Sequence, residues 1–220
     1  MYIIPLTVIA DKLNSVFGAF DMFFFRLFGN MQSDFLTAVE KGITFFGDGK
    51  FIAVVLAAAL VMLLFKKTRR VGLCVITALV LSTLVTNLLL KPVIMRPRPY
   101  VFLKDNLQFM TWYANAGSLV EGDFSFPSGH TTAAFSYCTA LFLSLKSKHK
   151  WAYALPLLAV LVMVSRVYLM VHFASDVLFG MLVGVLCAAA GYCLSGLFQK
   201  VIGKTPLDKF DLKERVAKLR

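Results

Sequence analysis

Three groups of ionisable residues interrupt an otherwise apolar chain. The first is the run 91–99, with Lys91, Arg96, Pro97, Arg98 and Pro99; the second is Pro127, Ser128, Gly129 and His130; the third is Ser165 and Arg166, followed by His172 and Asp176. Lys91, Arg98 and Arg166 brought to one point would bind a dianionic oxyanion, because Arg offers a rigid fork of donors and Lys a point charge. Lys91 and Arg98 are seven residues apart, so a continuous helix would put them on one face, although Pro97 would kink or end it. Pro127 and Gly129 mark the start of a helix, where the amides of Ser128, Gly129 and His130 would add an anion cradle. His172 and Asp176 are spaced i, i+4. If that stretch is helical, the carboxylate accepts the imidazole Nδ1–H and leaves Nε2 as nucleophile or base. His130 is then available as a general acid. Two histidines, one carboxylate and three cations make a phosphotransfer site in which no metal or other cofactor is expected. Glu121 and Asp123, two carboxylates without a histidine beside them in sequence, are too few for a metal site.

The elements that must hold these residues are membrane helices. Of 220 residues, 59% are hydrophobic and 16% charged, against about 25% charged in an ordinary soluble domain. An apolar excess of that size needs a bilayer. Phe51–Phe65, Val71–Leu90, Thr131–Leu145, Trp151–Met170 and Val177–Phe198 read as five spans, the first of them short for about 30 Å of hydrocarbon. Basic clusters follow three of them: Lys66, Lys67, Arg69 and Arg70; Lys146, Lys148 and Lys150; and Lys200–Arg220. If the spans alternate, these clusters share one side with 14 Lys/Arg and three acids, which is the whole net charge of +11. The positive-inside rule makes that side cytoplasmic. The charge is therefore a topology signal, and a nucleic-acid partner is not expected. His149 falls among the cytoplasmic lysines and reads as surface, while the three ionisable groups fall on the opposite side. Met1–Ala10 lacks a basic n-region and a cleavage site, so it does not read as a signal peptide. Val16–Phe28 and Met31–Phe46 carry Asp21, Arg26, Asp34, Glu40 and Lys41 and read as interfacial amphipathic helices; a sixth span over Val16–Phe28 is the alternative. The four cysteines lie in apolar runs and read as small buried hydrophobes. The expected architecture is one all-α domain over 1–220, a polytopic membrane helix bundle of about five transmembrane helices. Residues 1–46 form the interfacial helices, and 199–220 a basic cytoplasmic tail.

The pattern Lys91-x6-Arg98-Pro99, Pro127-Ser128-Gly129-His130 and Ser165-Arg166-x5-His172-x3-Asp176 resembles the three-part signature of the type-2 phosphatidic acid phosphatase family at all eleven fixed positions. The resemblance covers about residues 47–198. It implies that His172 attacks phosphorus to give a phosphohistidine, that Asp176 orients it, and that His130 protonates the leaving oxygen and then activates water. It also implies that Lys91, Arg98, Arg166, Ser128 and Gly129 hold the phosphate oxygens.

Several residues have a plainer reading beside the chemical one. Arg96 is either an extra phosphate contact or, more simply, a membrane-edge cation among lipid headgroups. Ser165 is a candidate for bonding its own helix. The stripe Gly180, Gly184 and Ala188 serves packing inside the bundle or a dimer face. The aromatics between Tyr100 and Phe126 are interfacial anchors or a lid over the site. The function expected is a cell-membrane, multi-pass hydrolase acting on a lipid phosphate or pyrophosphate at the extracytoplasmic side. Undecaprenyl pyrophosphate is favoured, with phosphatidylglycerophosphate and phosphatidic acid next; a lipid phosphotransferase or a lipid A phosphatase is the alternative. The oligomeric state is left open.

Overall fold

The computed structural model describes residues 7–202. The first six residues, and the expected basic tail beyond Ile202, lie outside the described part. Regular structure among the described residues is helical throughout: α1 (Val8–Asn30), α2 (Asp34–Thr44), α3 (Gly49–Leu63), α4 (Arg69–Thr83), α5 (Lys91–Ile94), α6 (Pro99–Phe102), α7 (Leu107–Asn115), α8 (Gly129–Leu145), α9 (Ala154–Tyr168) and α10 (Ala174–Ile202). A π-helical segment, Leu84–Leu90, joins α4 to α5.

Among the described residues, three helical stretches are long and apolar enough to cross a membrane: Arg69–Phe102, Lys150–Tyr168 and Ala174–Val201. The pair Asp34–Gly47 and Gly49–Leu63, bent by 41°, makes a fourth if it is one span. The expected count of five also included α8, whose 17 residues fall short of the roughly 20 that a span needs. That helix packs against α4, α9 and α10.

Several helix starts are capped as their sequences dictate. Thr7, Ser33, Asp48 and Asn106 each accept an amide of the first turn that follows, satisfying donors that helix geometry leaves open. In a bilayer helices do not associate by excluding water, so close backbone approach takes over. A Cβ on Gly184 would lie 2.6 Å from the Thr132 carbonyl and 2.7 Å from the Phe135 Cβ, and one on Gly180 2.9 Å from the Ser128 carbonyl. The small-residue stripe thus serves the bundle interior, seating α10 on α8. Gly184→Val is expected to destabilise by about 1–3 kcal/mol, the usual cost of overpacking, read as a lower unfolding midpoint in detergent. An unchanged midpoint would mean that the two helices are free to separate.

Lys67, Arg70 and Lys148 line one cavity, and Arg70 and Lys200 line its neighbour, so the three basic clusters gather at one end. Lys91 stands 21 residues beyond Arg70, about 30 Å along the helix axis. The two sets of charges are a bilayer core apart.

The N-terminal helices are more deeply integrated than an interfacial reading implies. α1 packs on α7, α9 and α10, and Asp21, one of the charges that argued for the interface, faces inward at 1% exposure. Three of the four cysteines are buried; Cys193 is exposed.

Candidate active site

The helix carrying Lys91 ends four residues later. Met95 adopts the left-handed conformation (φ 49°), and Pro97 and Pro99 forbid renewed helix until Arg98 caps α6. Lys91 and Arg98 therefore do not share a helix face. The chain reversal brings them together instead. Both line a cavity of about 250 Å³ with Glu121, Asp123, Gly129, His130 and His172.

His172 lies in the turn between α9 and α10 rather than on a helix, with Asp176 in the first turn of α10. Its Nε2 is 2.7 Å from an Arg98 guanidinium nitrogen, and its Nδ1 is 3.6 Å from Asp176 Oδ2. A guanidinium only donates, so Nε2 presents its lone pair and the ring proton sits on Nδ1, toward the carboxylate. Burial first, then the charges of Arg98, Arg166 and Lys91, hold this imidazole well below its ordinary 6.5. It is neutral, with a lone pair facing the cavity's cations. Asp176 is fully buried and itself held by the Phe173 amide at 3.0 Å, the Ser125 hydroxyl and an Arg96 guanidinium nitrogen at 2.6 Å.

His130, the second residue of α8, lines the same cavity, with Nε2 4.0 Å from Asp48 Oδ2. A Cβ on Gly47 would lie 2.9 Å from the His130 Cβ, so the bend between α2 and α3 closes directly over this histidine. Gly129 borders the cavity; a Cβ there would lie 3.7 Å from Lys91 Nζ. Ser128 does not line the cavity. Its hydroxyl caps α8 by accepting from Thr131, and its amide donates to the Asp176 carbonyl at 3.1 Å. The expected three-amide cradle therefore reduces to Gly129 and His130. Arg166 is buried behind Glu121 and bonded to it, with Thr44 Oγ1 at 2.8 Å and its own Nε left without a partner. Ser165 bonds the Val162 carbonyl of its own helix at 2.7 Å.

Glu121 and Asp123 are the counter-ions of this site. Asp123 pairs with Lys91 and Arg98, and Glu121 with Arg166. Among the described residues no group of three or more His, Cys, Asp or Glu side chains is placed to hold a metal. Burial raises the Asp123 carboxyl, but the hydrogen bond and charge of Lys91, then Arg98, outweigh it and leave it below its ordinary 3.8. A depressed carboxyl keeps its pairing above the ordinary value and loses it only as the pH falls through the lowered one. At neutral and mildly acidic pH the Asp123 carboxylate therefore competes with any anion. Asp123 is 52% exposed, where a pair contributes at most about 1 kcal/mol. Asp123→Asn should accordingly tighten inhibition by inorganic phosphate about twofold to fivefold. An unchanged inhibition constant would mean that the carboxylate moves aside freely.

The loop bearing these acids corrects a second expectation. Phe109, Trp112, Tyr113 and Phe126 are buried, packed around Phe25, Tyr168 and Phe173 or against Phe179, while Phe102 stays exposed. Most of the loop's aromatics are core rather than membrane anchors. Arg96 is corrected too. It is fully buried and touches neither a lipid-facing surface nor the cavity. Its guanidinium is bonded to Asn14, Ser175, Asp21 and Asp176 at 2.6–2.9 Å and lies 3.8 Å over the Phe173 ring.

Residues 71–200 match the family model described as the PAP2 superfamily. The chain belongs to the PAP2 superfamily. An undecaprenyl-diphosphatase of Sulfolobus acidocaldarius is 33% identical over 127 residues, covering 56% of this chain and 54% of that protein. The chain thus spans about half the length of that PAP2 relative. A phosphatidylglycerophosphatase B of Bacillus subtilis is 34% identical over 71% of this chain and 73% of its own. Among solved structures, a transmembrane PAP2-type phosphatidylglycerolphosphate phosphatase from Bacillus subtilis superposes with a TM-score of 0.67 at 29% identity. That match covers 90% of this chain and 93% of the other.

Proposed function

We propose that this chain is a metal-independent membrane phosphatase that removes the terminal phosphate of a lipid phosphate or diphosphate through a phosphohistidine at His172. The observation that carries the proposal is the lone pair of His172 Nε2, held beside Arg98 in a cavity that also contains Lys91, Gly129 and His130. In the first step Nε2 attacks phosphorus, the bond from phosphorus to the lipid oxygen breaks, and His130 gives that oxygen a proton. Burial and then the Arg166 charge push the His130 imidazole down to about 3, so it takes up that proton as the bound phosphate dianion offsets the surrounding cations. In the second, His130 takes a proton from water, the new hydroxide attacks phosphorus, and the P–N bond breaks to release orthophosphate. Lys91, Arg98 and the Gly129 amide face the charge that develops on the equatorial oxygens. Arg166 joins them once Glu121 gives way. The Asp176 carboxylate balances the positive charge that the His172 ring gains as Nε2 bonds phosphorus.

Undecaprenyl diphosphate is the substrate proposed first, phosphatidylglycerophosphate second; the relatives' activities toward these lipids support both. The site is proposed to face the extracytoplasmic side, because the basic clusters collect at the other end of the bundle. Phosphate release by the detergent-solubilised protein with EDTA present, measured on these two lipids, phosphatidic acid and a lipid A phosphate, tests the proposal. Release from at least one lipid is expected. A folded protein that releases none, or that moves phosphate only onto an added acceptor lipid, would overturn the hydrolase reading.

A further inference from the structure

The cavity extends past the phosphate-binding residues. Below Lys91 its wall is the π-helical stretch, which contributes Thr86 and Asn87, with Ser82 and Thr83 deeper still. A run of four polar side chains on a membrane-spanning helix is costly unless each finds a partner. Ser82 bonds its own helix at Leu79. Thr86 does not. It is 2% exposed and lines the cavity, yet its Oγ1 has no hydrogen-bond partner among the described residues. A threonine in a regular helix usually turns its hydroxyl back to a carbonyl of the preceding turn. Here the backbone is π-helical, with the Lys91 amide donating five residues back to the Thr86 carbonyl, and the Thr86 hydroxyl bonds no carbonyl of the preceding turn. Single π-turns of this kind are frequent at functional sites. Asn87, one turn or about 6 Å below Lys91, has no side-chain partner among the described residues. It also borders a second cavity of about 290 Å³ shared with Lys91, Pro92, Asp123 and Phe124.

We infer that Thr86 and Asn87 form a leaving-group subsite, which hydrogen-bonds oxygen atoms carried by the lipid beyond the bond that is cut. This rests on the hydrolase reading above and narrows its substrates. The subsite supplies neutral donors, a hydroxyl and an amide, next to one cation, Lys91. It suits a leaving group with accepting oxygens of its own: the inner phosphate of a diphosphate, or the glycerol portion of a glycerophosphate headgroup. A plain alkyl phosphate offers nothing there.

Thr86→Val and Asn87→Leu, each checked for an unchanged unfolding midpoint, test the subsite with three lipids: undecaprenyl diphosphate, phosphatidylglycerophosphate and dodecyl phosphate. The expected result is a loss of tenfold or more in kcat/KM on the diphosphate or the glycerophosphate lipid, with less than a twofold change on dodecyl phosphate. Loss on the diphosphate alone assigns the inner phosphate to the subsite; loss on the glycerophosphate lipid alone assigns the glycerol portion. Equal losses on all three lipids, or no loss on any, overturn the subsite and leave the hydrolase reading standing. A wild-type protein inactive on all three but active on phosphatidic acid or a lipid A phosphate overturns the subsite alone, and one inactive on every lipid overturns both.

Discussion

His172→Ala is expected to lower turnover by about four to six orders of magnitude, the range seen when a catalytic nucleophile is removed, while the helix bundle stays folded. Two features make the loss severe. No other side chain lining the cavity offers a lone pair beside Arg98: His130 faces Asp48 across the cavity, and the carboxylates of Glu121 and Asp123 are tied to cations. The ring is also held by its surroundings, between a guanidinium at 2.7 Å and a carboxylate at 3.6 Å, so no small shift replaces it. The stability cost is modest. The neutral imidazole is 1% exposed, but it already borders a cavity and ends no helix, so its loss enlarges an existing space and costs about 0.5–3 kcal/mol. Phosphate release and thermal unfolding on the same preparation check both halves. More than about one percent residual activity would remove His172 as nucleophile.

The second large effect concerns a residue that stands one side chain behind the cavity wall. Arg96 is the counter-ion shared by Asp21 of α1 and Asp176 of α10, and both carboxylates are almost completely excluded from solvent. Removing one member of a buried pair leaves an uncompensated charge and costs about 3–5 kcal/mol. Arg96→Met keeps the bulk over Phe173 but loses every polar bond, so the unfolding midpoint should fall steeply. Activity should fall too, because Asp176 loses a fixed donor and His172 its aligned partner; misplacement by about 1 Å can cost about a hundredfold. The loss should appear in kcat, with KM little changed, since Arg96 does not line the cavity. Asp21→Asn is the control. It spares the Arg96–Asp176 bond and should keep kcat within about threefold while lowering stability. If Arg96→Met lowers stability but leaves kcat of the folded fraction unchanged, Arg96 is a structural rivet and not a positioning residue.

The reach of the sequence is clearest at these same residues. The eleven signature positions pointed to phosphate chemistry, and the structure gathers five of them, Lys91, Arg98, Gly129, His130 and His172, around one cavity. Arg96 was misread because its partners are far away in the chain. A cation next to two prolines at the end of an apolar run looks like a headgroup contact until α1 returns Asp21, 75 positions distant, to meet it. The seven-residue spacing of Lys91 and Arg98 suggested a shared helix face, and Pro97 hinted otherwise; the left-handed Met95 that turns the chain has no sequence signature. In sequence Phe109, Trp112 and Tyr113 read as anchors or a lid, because aromatic side chains suit a membrane interface and a protein core equally well. Glu121 and Asp123 were legible only as acids in a loop. That they neutralise three cations follows from a fold that lays the loop back across the cavity. By contrast Ser165 and the Gly180–Gly184 stripe behaved as local chemistry suggested, since a serine's bond to its own helix and the need for small residues at close crossings depend on little beyond the element itself.

The central claim is the covalent bond between phosphorus and His172 Nε2. His130→Ala mixed rapidly with p-nitrophenyl phosphate, quenched in alkali within milliseconds and analysed by peptide mass spectrometry, tests it most directly. The nitrophenolate leaves without an acid, so the first step proceeds, while water attack lacks its base and the intermediate accumulates. A phosphorylated peptide containing His172, absent when His172→Ala is added to the same chain, is the predicted result. Phosphate release with no labelled histidine would contradict the account and point to direct attack by water.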